Sequence, residues 1–459
     1  MSETDTIGPP EAGDTNDRRE TIRVAAASLV GSALEWYDFY LYGTAAALVF
    51  NRIIFVNANP AVATMAAFAT FAVGYFIRPL GGLIFGRLGD VVGRKNVLII
   101  TLLVMGTSTA LMAFIPTYAQ VGIWSPIILI ILRAIQGIGA GAEFGGAAIL
   151  SVEHANPRAR GLQGAWPAVG VYLGLLMASA TFALITQLPQ EQFLAWGWRI
   201  PFAASVVVIA VAVFIRLRLS ESPAFLEAKE EEEKKAIPVA PLKDVFRFEW
   251  KSMVTLIGMQ TPQNVVAYIN LTFIAAYLTG TLKLANTIGP VAVAVATGTT
   301  MVTLPLFGAL SDRIGRKPVI LFGIGFSAVF VYPYFWIIDN TRSTLGVTLA
   351  VVASVGIGVG AMFGPQGAYF SELFTSRSRF TGLAFSREVA SALSGGLTPL
   401  IAVALVAAAS GSPRLVALYV IAACAIGFLA TLVGPETRGR SLRTTSRTEL
   451  EKSSGSFTD

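Results

Sequence analysis

The sequence holds a single cysteine, Cys424, and a single histidine, His154. One cysteine closes no disulfide within the chain, and one of each builds no Cys/His metal site, so neither a metal nor another cofactor is expected. The simplest roles for these two are a packed thiol and a loop residue. Charge is scarce as well: Asp, Glu, Lys and Arg make up 14% of the 459 residues, against about 25% in soluble globular proteins. A soluble enzyme is therefore not expected. An apolar core near the start is also missing. Met1 to Glu20 are polar and rich in Asp, Glu, Thr, Gly and Pro, which argues against a cleavable signal peptide and leaves insertion to the first span itself.

What is present is apolar: 54% of the residues are hydrophobic. A membrane-crossing helix takes about 20 apolar residues, so the length accommodates twelve spans with short connections. Runs bounded by charges, Pro and Gly place them at roughly 22–50, 61–86, 96–115, 125–152, 161–187, 198–217, 251–280, 286–309, 318–338, 344–371, 380–409 and 413–433. The expectation is an all-α polytopic membrane protein. The formal charge of +6 would suggest nucleic acid in a soluble chain, but here the position of the charges says more than their number, and no nucleic-acid partner is expected. Of the 34 Lys and Arg residues, 26 fall in the two tails and in the links after helices 2, 4, 6, 8 and 10. The opposite side has Arg52, Arg199, Lys283, Arg342 and Arg414, and Arg78, Arg133 and Arg387 lie within spans. The positive-inside rule then puts both termini in the cytoplasm, which an even number of spans satisfies.

The chain divides into a tail at 1–21, a six-helix bundle at 22–217, a linker at 218–250, a second bundle at 251–434 and a tail at 435–459. The linker carries the run Lys229 to Lys235 and then Pro238 and Pro241, a solvated connection between two bundles. The halves repeat. Gly86-Arg87-Leu88-Gly89-Asp90-Val91-Val92-Gly93-Arg94-Lys95 returns as Gly308-Ala309-Leu310-Ser311-Asp312-Arg313-Ile314-Gly315-Arg316-Lys317, an offset of 222, and Glu153 with Arg160 returns as Glu372 with Arg379, an offset of 219. Two matches at nearly one offset argue for two six-helix repeats. Glycines there allow a sharp turn, Asp90 and Asp312 can accept from amides or pair with bases, and Arg94, Lys95, Arg316 and Lys317 suit the headgroup zone. Glu153 and Glu372 could hold Arg94 or Arg316 in one conformation and release them in another, so these residues are candidates for gating; a static helix-end salt bridge is the plainer alternative.

At this point the sequence resembles the major facilitator superfamily and, within it, the metabolite:proton symporter family of shikimate, α-ketoglutarate, citrate and proline/betaine transporters. The markers are Gly31 to Gly43 in helix 1, Arg78-Pro79-Leu80-Gly81, Arg133-Ala134-Ile135-Gln136-Gly137 through Gly141-Ala142-Glu143-Phe144-Gly145-Gly146, Gly197 to Phe202, Glu221-Ser222-Pro223-Ala224-Phe225 and Gly364-Pro365-Gln366. Val91 and Phe144 depart from the usual residues. The resemblance implies a monomer in a bacterial inner membrane, in contact with lipid.

Charges inside spans carry the case for transport. Glu35, Asp38, Arg78, Arg133, Glu143, Arg387 and Glu388 each cost about 2.5 to 3.5 kcal/mol at the bilayer centre, so lipid-facing positions are excluded. Rise per residue puts Asp38 and Arg133 at similar depth, able to pair, with Glu35 on nearly the same face and Arg78 level with Glu143. A carboxylate that is either paired or protonated couples protons to substrate. Asp38 is the expected carrier, tuned by Arg133 and supported by Glu35 and Glu143; a permanent ion pair is the alternative. For the substrate, helix 7 offers Gln263, Asn264 and Tyr268 beside Gln260 and Asn270, with Pro262 inviting a kink. Trp36 and Tyr37, with Tyr40, would add an aromatic wall, and Arg133, Gln136 and Arg387 would meet a carboxylate. Gln366 lies lower and suits gating. Arg387 and Glu388 are adjacent, diverge by about 100° and are not expected to face each other. Three functions remain: proton-coupled uptake of an organic acid anion, uptake of a zwitterion such as proline or betaine held by cation–π attraction, and a non-transporting sensor.

Overall fold

The computed structural model describes residues 12–56, 60–218, 221, 225–226, 230, 242–285 and 287–442. Among them the backbone is helical, with no strand. Twelve rods follow one another: α1 (Ala12–Ala45, continued by Ala46–Phe50 and Asn51–Ile53), α2 (Pro60–Val92), α3 (Arg94–Met112), α4 (Trp124–Ala140 and Glu143–Glu153), α5 (Arg160–Gly164 and Trp166–Ile185), α6 (Arg199–Leu217), α7 (Leu242–Tyr268, continued to Thr281), α8 (Ile288–Ile314), α9 (Arg316–Thr341), α10 (Thr344–Val352, continued to Leu373), α11 (Arg379–Ala390, continued by Ser391–Gly396 and Thr398–Ala408) and α12 (Arg414–Val433).

Nine of them are long and apolar enough to cross a membrane. The three outside that set, α1, α2 and α7, hold Glu35, Asp38 and Arg78 and the polar run Gln260 to Asn270. Exposed Val, Leu, Phe and Trp side chains such as Val329, Trp336, Leu400 and Leu429 coat the outside. Arg78, Arg133, Glu35 and Glu388 are buried within, the placement that the cost of a charge in hydrocarbon demands.

Three boundaries differ from the sequence reading. Helix α1 starts by Ala12, so part of the expected 1–21 tail is helical, and α7 starts at Leu242, inside the expected 218–250 linker. Polar residues sustain a helix beyond the membrane once a packed segment has nucleated it, and an apolar-run criterion misses such extensions. The run Lys229 to Lys235 with Pro238 and Pro241 lies outside the described residues except for Glu230. Residues 435–442, expected as free tail, pack against the bundle ends.

Glycine sets how closely the rods approach. A Cβ on Gly170 or Gly174 of α5 would collide with the backbone oxygens of Leu29 or Ala33 in α1. Between the halves, α2 meets α11 at Gly82 and Gly86, where a Cβ would lie 3.0 Å from the Ala384 oxygen or 2.8 Å from the Thr381 Cα, and α5 meets α8 where Gly161 faces Gly308. Small residues at such crossings let backbones touch without hydrocarbon loss, since lipid is as apolar as leucine. Four rods widen into π-helical turns: α1 at Ala46–Phe50, α7 at Ile269–Phe273, α10 at Ala353–Val359 and α11 at Ser391–Gly396.

Candidate functional site

Between the halves lies a cavity lined by residues of both. The N-terminal half supplies Trp36 and Tyr40 from α1 and Val171 and Tyr172 from α5. The C-terminal half supplies Gln263, Asn264, Tyr268 and Leu271 from α7, Phe363 from α10, and Arg387 and Ser391 from α11. One wall is thus aromatic and the other carries amides and a guanidinium. Helix α7 is fixed against the π-helical turn of α11 by Gln260 Nε2 donating to Ser391 Oγ (3.2 Å) and Asn264 Nδ2 donating to Ser394 Oγ (3.0 Å). A hydrogen bond between the Tyr75 and Tyr268 hydroxyls joins the halves beside it. The buried indole N–H of Trp36 and the Gln260 Oε1 have no hydrogen-bond partner among the described residues.

The sequence reading is corrected on its pairings. Arg387 and Glu388 do pair, Nη1 to Oε1 at 2.5 Å. Their Cβ atoms diverge, but the long arginine chain bends back around the helix, and the expected angle constrains only the first bond of each side chain. Arg387 also lies over the Phe144 ring at 3.9 Å. Arg78 does not meet Glu143; it binds Glu35 (3.0 Å) and Glu388 (3.6 Å), with its guanidinium over Phe39 at 4.5 Å. Glu143 instead pairs with Arg216 and accepts from Thr101 at 3.0 Å. Arg216, counted with the basic link, turns back into the bundle and also donates to the Leu98 oxygen. Asp38 accepts from Ser205 at 2.7 Å, and Arg133 donates to Gln136 and lies over Phe39 and Tyr42, while the Asp38 and Arg133 charges act on each other. Depth along an axis fixes height and not azimuth, so it leaves the partner of each charge open.

Of the expected substrate contacts, Trp36, Gln263, Asn264, Tyr268 and Arg387 line the cavity. Arg133, Gln136 and Tyr37 do not. Gln136 passes its amide to Thr109 (2.7 Å), and Tyr37 packs toward α6 with its hydroxyl directed to the Pro201 oxygen (3.4 Å).

The end bearing the repeated loop motifs, the basic end, is locked by a pseudo-symmetric set of contacts. Gly93 (φ 114°) and Gly315 (φ 103°) make one-residue turns that only glycine takes without strain. Asp90 accepts from the Phe380 and Thr381 amides (3.2 and 2.9 Å) at the N-terminus of α11, and Asp312 accepts from the Gly161 and Leu162 amides (2.8 and 3.0 Å) at that of α5. Each aspartate therefore caps a helix in the other half, where unsatisfied amides favour an anion. Burial pushes the Asp90 carboxyl above its usual value, opposed by Arg94 and Thr381. Glu153 binds Arg379 of the other half (2.5 Å) and approaches Arg94 (3.8 Å); Glu372 binds Arg316 (3.3 Å) and approaches Arg160 of the other half (3.7 Å). Arg94 further donates to the Ser376 oxygen across the interface (2.9 Å).

Two groups in this lock were missed. Glu221 accepts from the Arg94 and Lys95 amides, and Glu436 does the same for Arg316 and Lys317 at 3.0 Å. Each sits just past the end of the sixth helix of its half, a repeat the sequence contained. Lys95 and Lys317 direct their ammonium groups to carbonyls ending α6 and α12, Leu217 and Leu432, the end where the helix dipole is negative. Gln366 is buried and off the cavity. No group of His, Cys, Asp and Glu among the described residues could hold a metal.

Known proteins share this sequence and this fold. The family model of the Major Facilitator Superfamily matches residues 28–386 and 263–457. A shikimate transporter of Escherichia coli (strain K12) is 36% identical over 414 residues, covering 90% of this chain and 94% of the relative. A proline/betaine transporter of the same strain is 34% identical over 428 residues, covering 92% and 84%, and an inner membrane metabolite transport protein of that strain is 36% identical over 426 residues, covering 92% and 95%. In three dimensions the chain is similar to a proton:xylose symporter bound to 6-bromo-6-deoxy-D-glucose, with TM-score 0.75 at 17% identity over 95% of this chain and 99% of that one. Against a partially occluded inward open conformation of the xylose transporter from E. coli the TM-score is 0.64 at 17% identity, covering 92% and 100%. With a family model spanning most of its length, relatives above 30% identity along nearly all of it, and nine membrane-capable helices, this chain belongs to the Major Facilitator Superfamily and is a multi-pass membrane transporter of the bacterial inner-membrane kind, not an enzyme.

Proposed function

We propose that the chain is a proton-coupled symporter that takes up a small organic acid anion. Its twelve helices act as two six-helix bundles, residues 22–217 and 251–434, that rock around the central cavity with both termini and the basic end in the cytoplasm. The observation that carries this reading is Arg387, a guanidinium on the cavity wall held by a neighbouring carboxylate, opposite Trp36 and Tyr40. A planar fork of donors suits a carboxylate, and aromatic faces suit the carbon frame behind it. The shikimate transporter among the relatives supports an acid. The locked basic end fits a state that admits substrate from the opposite side.

A second reading keeps the coupling and changes the cargo. Trp36, Tyr40, Tyr172 and Tyr268 together would hold a quaternary ammonium, and proline/betaine transporters stand among the relatives. Uptake into proteoliposomes separates the readings. Shikimate, α-ketoglutarate, citrate, an aromatic carboxylate, proline and betaine are each offered with and without an inward proton gradient. Gradient-driven accumulation of an acid is the expected result. Accumulation of betaine or proline alone transfers the assignment to the zwitterion, and binding without accumulation overturns transport coupling.

Coupling requires a buried carboxylate that alternates between paired and protonated forms. The sequence reading puts Asp38 first, here held by Ser205, with Glu35 and Glu143 in support; Glu35 remains with Arg78 beside the cavity, and Glu143 is fixed by Arg216. If Asp38 is the carrier, Asp38→Asn abolishes uphill accumulation and leaves exchange across the membrane. Accumulation that survives Asp38→Asn under a proton gradient removes that assignment.

A further inference from the structure

Four buried charges of alternating sign run from the cavity into the N-terminal half: Arg387, Glu388, Arg78 and Glu35. The links are 2.5 Å from Arg387 to Glu388, 3.6 Å from Glu388 to Arg78 and 3.0 Å from Arg78 to Glu35. The middle link crosses the interface between the halves, from α11 to α2, and only Arg387 reaches the cavity wall. The sequence reading gave Glu388 no role and set Arg78 level with Glu143, with a structural pair between them as one alternative.

We propose that Glu388 is the carboxylate that competes with the substrate carboxylate for Arg387 and that takes up a proton when it loses. This rests on the acid-anion symport above and deepens it. The chain of four is neutral as it stands. An incoming carboxylate that captures Arg387 leaves Glu388 facing Arg78 alone, and the buried cluster then carries one net negative charge. A proton from water on the open side, bonding to a Glu388 oxygen, restores neutrality. No cation is then stranded: Arg387 has the substrate, and Arg78 keeps Glu35 at 3.0 Å. What disappears is the ionic tie between α2 and α11, so the two halves lose an attraction only when substrate and proton are both aboard. On the other side the proton returns to water as the substrate leaves and Arg387 closes again on Glu388.

The geometry selects Glu388 over Glu35. Glu388 alone is shared between a cavity-facing arginine and an arginine of the opposite half, whereas Glu35 binds within its own half. One Glu388 oxygen, Oε2, is buried without a hydrogen-bond partner among the described residues, which gives a proton a place to reside. The other titratable groups whose charge acts on this cluster are Tyr75 on α2, Tyr268 on α7 and, through Glu35, Glu143 on α4. The two tyrosines are hydrogen-bonded to each other, and Glu143 has Arg216 as its own counter-ion, so none of the three is the partner that Arg387 gives up.

The test uses the full chain in proteoliposomes with labelled shikimate, and α-ketoglutarate in parallel. At one proton per monoanion, an inward gradient of about one pH unit sustains about tenfold accumulation in the wild type. Glu388→Gln is expected to bring that ratio to about one and to remove the substrate-linked proton influx seen with a trapped pH dye, with measurable counterflow remaining. Glu388→Asp is expected to recover both the gradient response and the proton influx, a rescue that a packing defect would not show. If Glu388→Gln still concentrates shikimate with proton influx, or if Asp38→Asn alone uncouples the two, Glu388 is not the exchanging group and the proposal is overturned while the symport reading stands. If Glu388→Gln shows no counterflow, Glu388→Asp decides: a coupled Asp variant supports the proposal and an inactive one overturns it. A wild type that accumulates neither acid under a gradient refutes the symport reading itself.

Discussion

Glu143 shows how much a single buried side chain depends on its counter-ion. It sits on α4, is 1% exposed, and is held by Arg216 of α6, with Thr101 of α3 donating a further hydrogen bond. The pair lies away from the cavity and ties three helices of one half. Glu143→Gln strands the Arg216 charge and is expected to destabilise the protein by about 3 kcal/mol. A double replacement by Gln and Met is expected to cost less, since it removes the uncompensated charge. Thermal unfolding in detergent, read by the fluorescence of the seven tryptophans, checks both. The residue-level sequence argument was sound about burial: Glu35, Asp38, Arg78, Arg133, Glu143, Arg387 and Glu388, the seven charges it placed well within spans, are all buried. It failed on partners, because periodicity gives a height and a face for each residue but not which neighbouring helix lies against that face. Arg216, near a helix end, was counted with the basic links by the same logic, and only the position of Glu143 shows why it turns inward.

Among the elements, the two glycine-lined crossings between the halves, α2 with α11 and α5 with α8, set how closely the halves approach. A Cβ on Gly308 would lie 2.5 Å from the Gly161 oxygen and 3.1 Å from the Ala165 Cβ, so α8 and α5 touch through bare backbone there. Gly308→Val is therefore expected to force the crossing apart and favour the state open at the basic end. A cysteine placed by Ser376→Cys, a buried position whose backbone oxygen accepts from Arg94, then becomes a reporter, and its labelling rate is expected to rise several-fold in the Gly308→Val background. Cys424 is buried in α12 and 2% exposed, so it adds little background. An unchanged rate would show that the crossing tolerates the branch. The repeated glycines were legible in the sequence as close-packing positions. Their partners were not: Gly161 has no place in the motif that contains Gly308, and the contact arises only when two bundles are laid side by side.

For the whole molecule, the lock draws on chain ends that the sequence reading left as tail. Arg160 donates to the Arg440 oxygen at 2.6 Å, Arg379 to the Leu442 oxygen at 2.8 Å, and Thr437 to Glu372 at 2.8 Å. One segment after α12 thus serves arginines from both halves. Removing residues 435–459 is expected to leave Arg160 and Arg379 short of acceptors and α9 without its Glu436 cap, weakening closure of the basic end. Faster labelling of the Ser376→Cys reporter in the truncated chain is the expected outcome, and equal rates would place the lock in the aspartate caps alone. The sequence by itself determined the class and the helical, membrane-crossing character of the chain, and it marked the repeated Asp-Gly-Arg and Glu-Arg sets, because these follow from apolar length, charge asymmetry and repetition along the chain, all of which are one-dimensional quantities. The tertiary structure alone decided who pairs with whom. The chain from Arg387 through Glu388 and Arg78 to Glu35, the caps from Glu221 and Glu436, and the strap at 435–442 join groups far apart in sequence. Their partners are set by the azimuth of each helix and the seating of one half on the other, which no spacing along a single chain encodes.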